Sequence, residues 1–224
     1  MKHLSRMITA HNCFCSFLCN LASLVLIPAY FIPLAVILMH IDCYISMVVM
    51  MTSLLTYVVA LDYFSFKGIT AKGFFLGMIK NSPYAADYLK DAILADLIKR
   101  FIQTAVIPTI SVIIAALISV KGIDLKFLVF ALTLIFLNYA VMTCILALMR
   151  NITTLTPYAC ITIFFLVLLG ALNTGMMFLF VYISTHIPFI IWLPISVITS
   201  VMISIYVFRY TTGRCLANIQ GDLT

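Results

Sequence analysis

The sequence predicts an all-α integral membrane protein: six transmembrane helices, with a cytoplasmic amphipathic coupling helix between spans two and three. Three observations carry that expectation. Of 224 residues, 65% are hydrophobic and only 9% charged, where a soluble domain carries roughly 25% charged residues. With so little polar surface, the apolar excess has to face lipid. The apolar residues also fall into runs close to the roughly 20 residues a helix needs to cross a bilayer. Finally, the thirteen Lys and Arg flank those runs instead of interrupting them. The whole chain, residues 1–224, reads as one transmembrane domain.

Taken in order, residues 1–20 read as a short interfacial lead-in, with Met7, Ile8, Phe14, Phe17 and Leu18 at the headgroup boundary. The first apolar run begins about 20 residues in and has the length of a full span. It lacks a small-x-small exit, so it is expected to remain as an anchor instead of being cleaved as a signal peptide. Spans one and two, over 21–61, form a tight hairpin about His40, Ile41, Asp42 and Cys43. The segment 62–100 is too polar to span and too patterned for a linker. Spans three to six follow over 101–208: Phe101 to Val120, Phe127 to Met149, Tyr158 to Ser184 and Phe189 to Phe208. A basic tail, 209–224, closes the chain.

The bases set the orientation. With a cytoplasmic N-terminus, eleven of the thirteen fall inside and only Lys121 and Lys126 outside, the asymmetry that the positive-inside rule requires. Both termini and the 62–100 segment are then cytoplasmic, in a cell inner membrane. These bases are too scattered for a patch that tracks nucleic-acid phosphates, so no nucleic acid is expected as a partner.

Within the long connection, Ser82 and Pro83 read as N-cap and first helical residue, since proline fixes the helical φ and lacks an N–H that would be orphaned there. An apolar stripe follows at Ala85, Leu89, Ile93, Leu97 and Phe101. The helix is expected to run on into span three. Asp87 before Lys90, and Asp96 before Lys99 and Arg100, follow the favourable acid-before-base order and read as charges on a water-exposed surface. Ahead of Ser82 lies Gly73-Phe74-Phe75-Leu76-Gly77-Met78-Ile79-Lys80. Two readings stand for it: an apolar knob for a groove on a cytoplasmic partner, or an interfacial helix on the inner leaflet with Lys67, Lys72 and Lys80 near anionic headgroups.

A cytoplasmic N-terminus, six spans, a long cytoplasmic connection after span two and a short apolar helix ending in the corner Asn81-Ser82-Pro83-Tyr84 resemble ABC-2-type permease subunits of ABC exporters. The stretch Thr199 to Ile219 is similar to the last span and short basic tail of that family. The acid often found at the cytoplasmic end of span two corresponds to Asp62, which has no base within four residues in sequence. The resemblance implies the permease half of an exporter, as a homodimer or with a related permease, surrounded by membrane lipids. A separate ATPase subunit would hold ATP and Mg, with no cofactor bound by this chain. It places ATPase coupling at Phe74, Phe75, Met78, Lys80, Ser82, Pro83, Tyr84, Asp87 and Tyr88. It also suggests an outer gate around His186 and Pro188, whose bland alternative is a turn leading into span six.

The remaining chemistry is sparse. Glutamate does not occur and no phosphate loop is present, so the chain itself is not expected to hydrolyse ATP. The absence of HExxH, of Gly-x-Ser-x-Gly and of any metal-ligand spacing among seven cysteines and four histidines argues against an enzyme or a metal protein. Ionisable residues well inside the spans, where ion-coupled carriers place theirs, are nearly absent, and Asp42 and Asp62 sit at span ends. Asn138 and Asn173 are the deepest strong hydrogen-bonding side chains. They could line a substrate path, but bonding between helices is the preferred reading. An apolar interior suits a peptide or an amphipathic, lipid-like cargo. The alternatives to an exporter permease are a non-transporting membrane immunity or binding protein and, behind it, a secondary carrier.

Overall fold

The computed structural model describes residues 43–65, 84–118, 125–149, 155–183 and 189–221, together with 7, 9, 21, 25–30, 32–34 and 37. Every element among them is helical, with no strand. The elements are α1 (Cys43–Ser65), α2 (Ala85–Phe101), a π turn (Ile102–Val106), α3 (Ile107–Ile118), α4 (Leu125–Met149), α5 (Leu155–Phe178) running into a second π turn (Leu179–Ile183), and a short 3-10 turn (Phe189–Ile191) leading into α6 (Trp192–Gly221).

Four stretches are long and apolar enough to cross a membrane: Ala86–Ala115, Leu125–Met149, Thr156–Tyr182 and Trp192–Gly213. This is the signature of a multi-pass membrane-embedded protein. The last three overlap the expected spans four to six, but the first starts fifteen residues ahead of the expected third span. It takes in residues 86–100, expected in the cytoplasmic connection as too polar to span; their apolar face is long enough for the helix to run through. Shorter apolar helix lies at Val25–Leu34 and Cys43–Val59, where spans one and two were placed.

α2 and α3 are one continuous rod interrupted by the π turn. Pro108 has no N–H for Thr104 O, and its ring crowds that carbonyl, so regular α geometry cannot pass through unaltered. The widened turn takes up the mismatch: Ile107 N–H reaches back five residues to Ile102 O. Thr104 Oγ1 donates to Arg100 O at 2.8 Å and Ser111 Oγ to Ile107 O at 2.8 Å, so hydroxyls from either side of the proline bond carbonyls in the turns that precede it.

α4 is the central helix. It packs on α6, α1, α5, α2 and α3, and 67% of its apolar window is buried, against 17% in the corresponding windows of α5 and α6. Its longest contact, with α6, is a seam of small polar residues. Ser196, Ser200 and Ser204 recur every four residues, which lets the backbones approach closely. Ser200 Oγ lies 2.7 Å from both Phe136 O and Ser196 O. The Tyr139 hydroxyl lies 2.9 Å from Ser204 Oγ, which itself donates to Ser200 O. Ser200→Leu is expected to lower stability by about 1–3 kcal/mol through overpacking, and Ser200→Ala by about 1 kcal/mol or less. Unfolding in detergent would check the pair, and equal losses would show that close approach is not what the seam provides.

The two ends of the bundle differ in chemistry. At one end, Tyr44, Phe127, Phe130, Phe180 and Trp192 form a continuous set of ring contacts with centroids 5.1 to 6.4 Å apart. The buried charges are gathered at the other.

Candidate functional site

Two polar clusters stand out, one at the charged end and one halfway along the bundle. The first joins α1 to α2. Arg100 Nη2 lies 3.5 Å from Asp62 Oδ1, and Arg100 Nε lies 2.8 Å from Asp96 Oδ2. The side chains of Arg100, Asp62 and Asp96 are only 5%, 9% and 4% exposed. Although close, the Nε–H is not aligned for a hydrogen bond, so Asp96 meets Arg100 as an ion pair and not through a linear N–H···O contact. Asp91 and Gln103, on the same rod, are buried as well.

This arrangement corrects the expectation that the charges of this helix face water. Asp87 and Lys90 are exposed, but Asp91, Asp96 and Arg100 are buried. The physical reason is that α2 has two packed faces. Leu89, Ile93 and Leu97 enter a small cluster with Val207 of α6, while the Asp96–Arg100 pair, one turn apart, meets Asp62 of α1. Phe101, expected to continue the apolar stripe, is partly exposed, with its ring 5.3 Å from that of Tyr139. The helix also begins later than its sequence cap suggests: Ala85 is its first residue and Tyr84 its N-cap, with no side-chain cap bond. Asp62, with no basic neighbour in sequence, finds its base 38 residues downstream.

Of the expected coupling residues, Tyr84 and Asp87 are exposed on the first turn of α2, and Tyr88 is half-buried against the Leu89 cluster. Phe74, Phe75, Met78, Lys80, Ser82 and Pro83 lie outside the described residues, as do His186 and Pro188.

The second cluster brings Asn138 and Asn173 together. Asn138 Nδ2 donates to Asn173 Oδ1 at 2.9 Å and to Leu134 O at 2.7 Å, and Asn173 Nδ2 donates to Thr52 Oγ1 at 3.3 Å. Both asparagines are 1% exposed. They therefore tie α1, α4 and α5 together, the interhelical use preferred from sequence. Near the charged end, Tyr158 of α5 donates to Val59 O of α1 at 3.1 Å, a further tie between the same two helices.

Sequence reasoning missed Arg100 as the partner of Asp62, Thr52 as the third member of the relay, and the serine seam. The seam has a legible signal, serines at a strict four-residue spacing. Asp62 and Arg100 also have one, since they stand at the two ends of the same long connection. Thr52 has none, because a threonine inside an apolar helix usually returns its hydroxyl to its own backbone, as Thr52 also does to Val48 O.

Among the described residues no group of three His, Cys, Asp or Glu could hold a metal ion. No family model, no curated protein and no solved structure matches the chain.

Proposed function

We propose that this chain is the membrane-spanning permease subunit of an ATP-driven ABC exporter, moving a peptide or an amphipathic, lipid-like substrate and driven by a separate ATPase subunit. The observation that carries the reading is the Arg100–Asp62 pair. It ties α1 to α2, and these helices flank the 66–83 segment on its two sides. Force applied to that segment by a partner would enter both helices at once. The exposed Tyr84, Asp87 and Lys90 give the start of α2 a polar face suited to a water-soluble partner. Phe74, Phe75, Met78, Lys80, Ser82, Pro83 and Tyr88 complete the docking surface in this reading. ATP and Mg sit on the ATPase, and two permease copies, or one with a related permease, form the path in the inner membrane with both termini cytoplasmic.

Co-purification with an ATPase encoded beside this chain tests the docking surface. Wild type is expected to retain the ATPase, and Phe74→Asp/Phe75→Asp to lose it while still folded. Retention by the folded variant sinks the docking role.

One observation favours a second reading, a non-transporting membrane protein that acts by binding: Asn138 and Asn173, the deepest polar side chains, bond to each other and are buried. Under that reading the protein purifies without an ATPase and keeps its protective effect in cells depleted of ATP. Either result separates the two.

A further inference from the structure

The mid-bundle relay is polarised, and one of its ends is left open. Both Nδ2 hydrogens of Asn138 are committed, one to Leu134 O and one to Asn173 Oδ1. Turning the amide over would set its oxygen against two other carbonyl oxygens, so its neighbours fix its orientation. Farther along, Asn173 gives an amide hydrogen to Thr52 Oγ1, and the Thr52 hydroxyl goes to Val48 O. Both amide hydrogens of Asn138, one of the two of Asn173 and the Thr52 hydroxyl are thus directed at Leu134 O and Asn173 Oδ1, at Thr52 Oγ1 and at Val48 O. Asn138 Oδ1 is left as a buried acceptor with no hydrogen-bond partner. Inside an apolar bundle, such an atom is strongly disfavoured unless a donor reaches it.

We propose that Asn138 Oδ1 is the binding point for one neutral hydrogen-bond donor, an O–H or N–H group, lodged beside the α4–α5 contact. The chemistry of the relay selects that class. An acceptor oxygen does not attract an anion. A cation would need several oxygen ligands, but Asn173 Oδ1 and Thr52 Oγ1 already accept hydrogen bonds, and the relay contains no carboxylate. The donor comes either from a buried water or from a polar group of an organic molecule held in the bundle. The site does not depend on the export reading and survives its failure.

Infrared spectroscopy of the full-length protein in lipid nanodiscs, with asparagine side-chain carbonyls labelled with carbon-13, tests it. Subtracting the spectrum of Asn138→Leu isolates the Asn138 carbonyl. Asn138→Ser, which also removes that carbonyl, serves if the leucine variant does not fold. The expected band lies at the lowered frequency of a hydrogen-bonded amide carbonyl and persists in Asn173→Leu. If an accompanying O–H stretch shifts in oxygen-18 water, the donor is water. If the lowered frequency is instead lost on exhaustive detergent exchange, the donor belongs to a bound organic molecule. A band at the free-carbonyl frequency overturns the proposal. So does a lowered band that responds to neither treatment, because its donor would then be the protein itself.

Discussion

Arg100→Leu is expected to destabilise the protein by about 3–5 kcal/mol, because it leaves the buried Asp62 and Asp96 carboxylates without their shared cation. A low-dielectric site penalises carboxylates that lose a cation held at close range. Asp62→Asn should cost far less, about 1 kcal/mol, since Arg100 keeps Asp96 and the new amide oxygen can still accept a hydrogen bond. Replacing all three together, Asp62→Asn, Asp96→Asn and Arg100→Met, should recover most of the loss, because the cation and the two carboxylates it bridges are then removed together. Unfolding followed by circular dichroism in detergent would rank the three variants. Equal losses for Arg100→Leu and Asp62→Asn would mean that the cluster is hydrated in the membrane-embedded protein and the charges are not mutually dependent.

The second large effect is a failure of additivity at the Asn138–Asn173 contact. Asn138→Leu strands Asn173 Oδ1, and Asn173→Leu strands a donor of Asn138, each at a cost of about 1–3 kcal/mol. The double variant strands neither, so it should be no less stable than the worse single one, whereas simple addition predicts about twice that loss. A double-mutant cycle measured by unfolding in the same detergent reads the coupling directly. A coupling near zero would mean that the two amides find water or other partners when separated, as happens for many polar contacts within membranes.

Much of the fold was legible because crossing a membrane restricts what a sequence can do. Phe127 to Met149 was bounded by charge and turn residues and emerged as α4 within two residues at one end and none at the other. The continuity of α2 into the third span followed from the helical periodicity of the apolar stripe, and Asn138 and Asn173 were identifiable as the deepest strong hydrogen-bonding side chains. What periodicity could not supply was the direction of each face. A four-residue acid-to-base spacing is compatible with a solvated helix and with a buried one, and only the arrival of Asp62 from α1 decides between them for Asp96 and Arg100. The first turn of α2 shows the limit of local capping rules. Ser82-Pro83 is a good start signal, yet the regular helix begins at Ala85 with Tyr84 as its cap.

The π turn at Ile102–Val106 has a mechanical consequence. Its hydrogen bonds close a wider ring than those of the α-helix on either side, so the rod from Ala85 to Ile118 is two regular helices joined in series by an irregular turn, the place where a bend would cost least. That turn begins two residues after Arg100. In the export reading proposed above, a load entering α2 would be braced against α1 by the charge cluster immediately before it reached the π turn. Deflection would then fall at the buried Gln103, Thr104 and Ala105, so the far half of the rod would change its tilt by repacking that turn and not by sliding along its own axis.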